Sequence, residues 1–544
     1  MQQINLITRR GFLDRNFKIG LGVALSTLTD LPIVVKRALA EGNIGLSGKK
    51  LLFIFLRGAN DALNTVIPAQ DPAYSSSNRP TIGILRDAIN YGTTGQADFP
   101  ENTVGTDATF KYANAIRLGN GFAAMHPSMK FLAPVYNGGD LALIHRVGYP
   151  RQSRSHFDSQ NYWETGTPNN NLTTNGIFYR TMIESGLTNT NSLTGVSIQS
   201  ALPLSLRGSA AAMTNLTDPL RYDLLGIPNN TAGNTKSDAY LRGANNYPFA
   251  DKMDRGLLNS QYQNLSKTLQ TFAAMNFTDA GNTFVDNTAV DGEASPYYLF
   301  PTSNAKNGGY AQHASDTSKY VVDTGAYSFF TSIKAAALIL NNTDAVIAGT
   351  EMGGFDTHNV QGAATGTHAN LLRRVSWALY GLRKYFQIYG RGGTSPSPGA
   401  LASWNDIVVV TLTEFGRTTV ENTSQGTDHA EAGVSLVAGG AVRGYNKTPG
   451  RSGVVGCHTG DAVPWVPGTA TGTTGTMFGA SGRYLQRAFD YRSILGEIIR
   501  NHLGATQNQL NRIIPGYTDP NEFLQAGGKS GIDGVNIIGE PGLV

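Results

Sequence analysis

Five continuous apolar runs, separated by segments with helical spacing, constrain the fold of this chain more than any other feature. A run such as 407–412, Ile-Val-Val-Val-Thr-Leu, is typical of a strand that is buried on both faces, as in a parallel sheet. From Leu371 to Phe386, apolar residues recur at the spacing of a buried helix face. Strands that alternate with helices predict an α/β fold, with a mostly parallel central sheet and helices on both faces. The runs are 51–56, 141–144, 345–348, 407–412 and 434–438, and the other predicted helices are 129–136, 327–340 and 491–503.

The segment 165–325 interrupts this alternation. It is rich in Asn, Thr and Gly, and it contains one clear helical pattern at 253–275. We therefore expect residues 41–544 to form one α/β domain, with an insertion or cap at about 165–325 that covers the site.

The excess positive charge of the chain lies entirely in residues 1–40. This segment holds six of the 43 Lys and Arg residues and two of the 39 acidic residues, so the rest of the chain carries 37 of each. Because the rest of the chain is formally neutral, the overall positive charge no longer indicates a polyanionic partner, and we expect no nucleic-acid partner.

The same forty residues resemble a twin-arginine export signal. Residues 8–13, Thr-Arg-Arg-Gly-Phe-Leu, match the motif, and 38–40, Ala-Leu-Ala, match a cleavage site. The stretch 19–35 contains Asp30 and Pro32, so it is a poor membrane-spanning helix. The prediction is a cleaved signal peptide, the twin-arginine export machinery as a partner, a periplasmic or secreted protein, and no stable membrane anchor after cleavage. An amphipathic helix that stays attached is the alternative.

Polar and ionisable side chains stand where the predicted strands end. Because the carboxyl ends of parallel strands meet at one edge of a sheet, these side chains are expected to converge. Carboxylate and imidazole together suit zinc, manganese or iron, whereas a site dominated by oxygen suits magnesium or calcium. The residues are Arg57, Asp61, Arg154, Ser155, His156, Asp356, His358, Glu414, Arg417, Asp428 and His429.

Each of these residues also has a purely structural interpretation. Asp61 could cap the helix after the first strand, because Asp is a favoured N-cap residue. Asp356 and His358 could belong to a simple loop turn, and Glu414 could form a structural ion pair with Arg417. Only the shared position at strand ends favours a site over these alternatives.

Five segments together resemble the bacterial family called domain of unknown function 1501. They are FLRGANDALNTVIP, SRSHFDSQNYWETG, GGFDTHNVQ, TEFGRT and GTDHA, and the resemblance covers nearly the whole chain after residue 40, least so in 165–325 and in the tail. That family is grouped with the alkaline phosphatase superfamily. The resemblance implies an alkaline-phosphatase-like α/β sandwich that binds one or two divalent metal ions (zinc, magnesium, calcium or manganese) at the strand ends.

The resemblance also implies roles for individual residues. Asp61 corresponds to the first metal-binding aspartate, and Ser155 stands where the superfamily has its nucleophile. Asp356 and His358 match a metal-binding pair, although their spacing is shorter than usual. Glu414 occupies the place of the aspartate after the fourth strand, and Asp428 with His429 comes later, near another histidine ligand. The implied metal ligands are Asp61, Asp356, His358, Glu414, Asp428 and His429.

These roles predict an exported metal-dependent hydrolase of phosphate or sulfate esters. Ser155 would be the nucleophile, His156 a general acid or a support for the ligands, and Arg57, Arg154 or Arg417 a clamp for the substrate oxyanion, because a guanidinium binds two oxygens at once. The substrate would be a small-molecule or polysaccharide ester. The sulfatase signature Cys-x-Pro-x-Arg is absent. The alternative is an inactive scaffold that serves as an exported cell-envelope or polysaccharide-binding protein.

Overall fold

A computed structural model describes residues 44–84, 115–189, 193–219 and 322–544, together with short pieces between 268 and 321. The predicted signal peptide 1–40 and most of the predicted helix 253–275 lie outside the described residues. No helix among the described segments has the length and apolar character needed to cross a membrane.

The centre of the structure is a nine-stranded mixed sheet, which confirms the predicted α/β class. The strands are β1 Lys50–Leu56, β2 Leu141–Gly148, β3 Gly195–Ile198, β4 Thr214–Leu216, β5 Ile347–Met352, β6 Ile407–Leu412, β7 Gly433–Ala438, β8 Val454–Val455 and β9 Phe489–Asp490. The spatial order is β8-β2-β7-β6-β1-β5-β3-β4, and β9 pairs with β2 beside β8. All neighbours are parallel except β7, which runs antiparallel to both β6 and β2.

Helices cover both faces of this sheet. The described α-helices are α1 Ala62–Thr65, α2 Ala133–Asn137, α3 His156–Thr165, α4 Ile177–Ser185, α5 Tyr327–Asn342, α6 Thr367–Ile388, α7 Tyr491–Glu497 and α8 Gln507–Ile513. Short 3-10 helices lie at Pro127–Leu132, Leu187–Asn189, Leu204–Leu206, Thr324–Ala326, Trp404–Asp406 and Thr476–Phe478, and a π turn, Ile498–His502, follows α7. Minor strands pair outside the central sheet, and they are Val66–Ile67, Ile116–Arg117, Ala124–Met125, Val285–Asp286, Tyr297–Tyr298, Ala311–His313, Asp316–Val321, Gly528–Lys529 and Asn536–Ile537.

Strand β1 shows why its apolar run is continuous. Successive side chains of a strand point to opposite faces, and both faces of β1 are covered. Leu52, Ile54 and Leu56 belong to the core that contains α5 and α6, whereas Leu51 and Phe53 belong to the core that contains α3, α4 and α7.

Two boundaries in the structure differ from the predicted ones. Helix α4 and strands β3 and β4 fall within the segment predicted as an insertion or cap at about 165–325, and β3 and β4 are strands of the central sheet. The strand expected at 345–348 lies at Ile347–Met352 instead. Its backbone pairs with β1 and β3 on its two sides, so the ladder continues through Gly349 and Thr350 beyond the apolar run.

Candidate metal centre

The site lies at the sheet edge where β1, β5 and β6 end together. Leu56 is in register with Met352, and Phe55 with Leu412, so the loops that follow these strands start side by side. Strand β7 is antiparallel to its neighbours, and therefore the segment that precedes Gly433 reaches the same edge. Helix α3 begins here as well, after the loop that follows β2.

Backbone hydrogen bonds join the loops into one platform. Residues 357–361 bond to 424–427, and 416–418 bond to 428–431. A bridge of antiparallel type sets Arg417 opposite His429. The approach is so close that a Cβ at Gly426 would lie 2.3 Å from the carbonyl oxygen of His358. The loop positions are therefore fixed by main-chain contacts.

Three imidazole nitrogens and one carboxylate oxygen converge on this platform. The Nε2 atom of His429 lies 3.0 Å from Nε2 of His156 and 3.0 Å from Nε2 of His358. The Oδ1 atom of Asp356 lies 3.0 Å from His358 Nε2, 3.2 Å from His429 Nε2 and 3.5 Å from His156 Nε2. These four side chains are called the His₃Asp cluster below.

The other ring nitrogen of each histidine faces an acceptor. The acceptors are Glu414 Oε1 at 3.6 Å from His156, Asp428 Oδ1 at 2.9 Å from His358 and the Arg154 carbonyl oxygen at 2.9 Å from His429. A carbonyl oxygen or an ionised carboxylate can only accept, so these contacts of His358 and His429 favour the tautomers with the proton on Nδ1. In those tautomers the Nε2 lone pair of His358 faces that of His429.

Lone pairs at 3.0 Å repel unless a proton or a cation lies between them. Protonating two of the three rings would place two positive charges within that distance, which is unfavourable. The same arrangement, with Nε2 toward the centre and Nδ1–H donated to a carboxylate or carbonyl, is how histidines bind a metal ion. The cluster has the donor set of a metal site, and side-chain exposures of 27% for His156 and His429, 37% for His358 and 45% for Asp356 leave it open to solvent.

Charges around the cluster shift its pKa values in opposite directions. The nearby Glu414 carboxylate raises the pKa of His156, whereas burial and the neighbouring His156 lower the pKa of His429. Burial opposes ionisation of Asp356, but Arg417, His358 and His429 together outweigh it and lower the pKa of that carboxyl group. Asp356 is therefore ionised, and His429 is held in the neutral form that a metal ligand needs.

Glu414 and Arg417 contact the side chains of the cluster and hold them in position. The Glu414 carboxylate accepts backbone N–H groups of Gly58 at 3.0 Å and Ala59 at 2.9 Å, so it is oriented toward His156 and does not reach the centre. Arg417 Nη1 donates to Asp356 Oδ1 at 2.8 Å, and its side chain is fully buried. Asp428 likewise holds His358 and has no measured contact with the centre.

Asp61 and Ser155 make local structural contacts. Asp61 is fully buried and caps α1, and it forms an ion pair with Arg79 at 2.7 Å. Ser155 is the N-cap of α3, and its Oγ accepts the N–H of Asp158 at 3.4 Å. The cap expected as an alternative for Asp61 is thus present, and among the described residues Asp61 makes no direct hydrogen bond or ion pair with a member of the His₃Asp cluster.

The two remaining predicted arginines use their guanidinium groups elsewhere. Arg57 forms ion pairs with Glu351 and, at 3.6 Å, with Glu164. Arg154 is exposed, and its Nη1 donates to the Tyr484 hydroxyl at 2.6 Å. It is the backbone carbonyl of Arg154 that contacts the cluster, through His429.

Sequence reasoning missed three residues of the site. Phe415, inside the segment TEFGRT, is fully buried, and its ring packs against His156 and His429 with centroid distances of 4.8 and 4.9 Å. Gln361, at the end of GGFDTHNVQ, hydrogen bonds to Asp61. Both stood in recognised segments and could have been flagged, whereas nothing in the sequence marked Arg79.

Comparison with known proteins gives one match. No curated protein and no solved structure is similar enough to this chain to match it. One segment, residues 305–448, matches a family model. It contains Asp356, His358, Glu414, Arg417 and the pair 428–429, but not the part of the site that precedes residue 305. Residues 305–448 match the model of the family described as Protein of unknown function (DUF1501), which supports the resemblance to that family over this part of the chain.

Proposed function

We propose that this protein is an exported metal-dependent hydrolase of phosphate or sulfate esters, on an alkaline-phosphatase-like scaffold, and that it binds one divalent metal ion. The observation that carries the proposal is the His₃Asp cluster, in which His429 Nε2 and Asp356 Oδ1 lie 3.2 Å apart and each lies 3.0–3.5 Å from the Nε2 atoms of His156 and His358. Four ligands at about 2.0–2.2 Å from a tetrahedral ion lie roughly 3.3–3.6 Å from one another. The spacing thus suits one ion.

Nitrogen donors favour zinc over magnesium or calcium, which prefer oxygen. Among the described residues, the donor atoms of His156, Asp356 and His429 all lie within 4.8 Å of one another, and His358 Nε2 lies 3.0 Å from His429 Nε2. This supports one metal ion instead of the two that the superfamily usually binds. Asp61, which the resemblance implied as a metal ligand, forms an ion pair with Arg79.

The exposure of the cluster supports a catalytic role over a structural one, because structural zinc sites are closed and catalytic sites keep a position open. A metal ion bound there would supply Lewis acidity toward an anionic ester oxygen. The chain itself orients the ligands through Glu414, Asp428 and the Arg154 carbonyl. Ser155 precedes His156 in the chain, which supports it as the nucleophile, and the exposed Arg154 side chain at the rim is suited to an ester oxyanion.

The direct test is elemental analysis of the protein purified from its exported form, together with hydrolysis of aryl phosphates and aryl sulfates. We expect one equivalent of a transition metal, zinc by preference, and metal-dependent hydrolysis. A protein that takes up no metal would overturn the proposal. A protein that binds one equivalent but hydrolyses neither ester class would favour the exported binding scaffold.

Ser155 substitutions should separate nucleophile from helix cap. Ser155→Asn keeps a favoured N-cap but removes the hydroxyl, and we expect unchanged metal content with hydrolysis reduced on the order of 10⁴–10⁶-fold, as for other nucleophilic serines. Ser155→Thr keeps both features and is the matched control, for which we expect measurable activity. Rates are compared at saturating metal. Full activity of Ser155→Asn would show that the hydroxyl serves only as the cap.

Removing the Asp428 carboxylate should weaken metal binding without unfolding the protein. Its side chain is 56% exposed, so Asp428→Ala is expected to change the free energy of unfolding of the metal-free protein by less than about 0.5 kcal/mol. Loss of the His358 Nδ1 partner should reduce metal affinity about 10–100-fold. Asp428→Asn keeps an acceptor oxygen and should lose less. The affinities come from competition with a chromophoric chelator, and equal affinity of Asp428→Ala and the parent would contradict the assignment.

A further inference from the structure

We propose that the buried Asp61–Arg79 pair is a positioning unit for the His₃Asp cluster and takes the place of a second metal ion. This inference rests on the proposed metal site but concerns residues outside it. The unit acts through Gln361 and Thr427 on Arg417, which in turn holds Asp356.

Arg79 satisfies the charge of Asp61 without any other cation. Its Nη1 donates to Asp61 Oδ2 at 2.7 Å and to Asn64 Oδ1 at 2.8 Å, and its Nη2 lies 3.3 Å from Asp61 Oδ1. Both side chains of the ion pair have 0% exposure. Burial disfavours the Asp61 anion, but Arg79, with smaller contributions from His368 and Gln361, outweighs this cost and lowers the pKa of Asp61 to about 2. The pair is therefore charged at neutral pH, and no ligand atom of Asp61 is left for a metal.

The other donors of Arg79 hold the segment that carries Arg417. Nε donates to the carbonyl of Thr419 at 2.9 Å, and Nη2 donates to the carbonyl of Thr418 at 2.8 Å. Together with the bonds to Asp61 and Asn64, all five guanidinium N–H donors have acceptors. Arg79 thus ties α1 to the residues immediately after Arg417.

A second connection runs from Asp61 through side chains. Gln361 Nε2 donates to Asp61 Oδ2 at 2.7 Å, which fixes the amide so that Gln361 Oε1 accepts the hydroxyl of Thr427 at 2.6 Å. The Thr427 oxygen in turn accepts Arg417 Nε at 3.3 Å, and Arg417 Nη1 reaches Asp356 Oδ1 at 2.8 Å. The donor and acceptor of each hydrogen bond in this series are defined, because the ionised Asp61 at its beginning can only accept.

The chain offers a matched pair of threonines to test this connection. Both Thr357 and Thr427 are buried, and both donate a hydroxyl to Gln361 Oε1, at 2.9 and 2.6 Å. Only Thr427 also accepts from Arg417. A valine at either position removes the same type of bond, but only Thr427→Val breaks the connection to Arg417.

The experiment measures Zn²⁺ affinity by chelator competition, the visible absorption of the Co²⁺-loaded protein, and the melting temperature without metal. We expect Thr427→Val to bind Zn²⁺ about 10–100-fold more weakly, with an altered Co²⁺ spectrum, and Thr427→Ser to restore both. Thr357→Val should lower the melting temperature by a similar amount but keep the parent affinity and spectrum. A metal-free crystal structure of Thr427→Val should show the Asp356 carboxylate displaced.

Equal affinities of the two valine variants, or an unmoved Asp356 in that crystal structure, would overturn the inference and leave the proposed metal site intact. Two metal equivalents in the parent, with one lost in Asp61→Asn, would also overturn it, because Asp61 would then be a ligand. A parent that binds no Zn²⁺ would overturn the proposed function, and the crystal structure alone would then decide the positioning role.

Discussion

Replacing His429 by alanine is expected to abolish both metal binding and ester hydrolysis. His429 is the central member of the cluster, since its Nε2 lies 3.0 Å from two other imidazoles and 3.2 Å from Asp356. Loss of a partner behind a ligand costs about 10–100-fold in affinity, and loss of the central ligand itself must cost more. We expect no stoichiometric metal after dialysis and no hydrolysis above background.

The thermal behaviour should identify this as a loss of binding. A metal that binds only the folded state stabilises it by about 4 kcal/mol at a concentration of 1,000 Kd. The melting temperature of the parent should therefore rise with added Zn²⁺, whereas that of His429→Ala should not. His458→Ala is the matched control, because His458 is half-buried and bonds to Gly460, outside the cluster. A parent-like response of His429→Ala to Zn²⁺ would refute the site.

Gly58→Ala is the second change for which we expect a large effect. Gly58 has φ of +107°, which L-residues with a Cβ rarely adopt, and a Cβ there would lie 2.4 Å from the backbone nitrogen of Asp356. Its own N–H donates to Glu414. The methyl group must therefore displace the loop of Asp356. It should also disturb Glu414, which faces His156.

We expect Gly58→Ala to destabilise the protein by about 2–4 kcal/mol, from overpacking and backbone strain, and to lose most of its metal affinity. Denaturant unfolding gives the first quantity, and chelator competition gives the second. Gly353→Ala, in the loop that carries Asp356, is the control, since a Cβ at Gly353 would have no neighbour within 4 Å. Similar metal affinity in the Gly58 and Gly353 variants would contradict the role assigned to Gly58.

Most of the layered architecture could be predicted from the sequence because it depends on local burial. The strand β6, Ile407–Leu412, coincides with its apolar run. The helix predicted at 327–340 extends two residues further in the structure, to Asn342. The direction of β7 could not be predicted in this way, because a short apolar run reads the same in either direction. Because β7 is antiparallel, the residues that precede it, including His429, lie at the site edge. Glu414 lies at the same edge because it follows the end of β6.

The sequence by itself determined the α/β class and which segments carry imidazole and carboxylate groups, because apolar periodicity and residue chemistry are local properties. Only the tertiary structure decided how these groups are used. Asp61 is paired with Arg79, 18 residues away, and Glu414 and Asp428 stand behind histidines, while His156, expected as a support, lies in the cluster. These outcomes depend on distances of a few ångströms between segments separated by up to 273 residues, which no local pattern encodes.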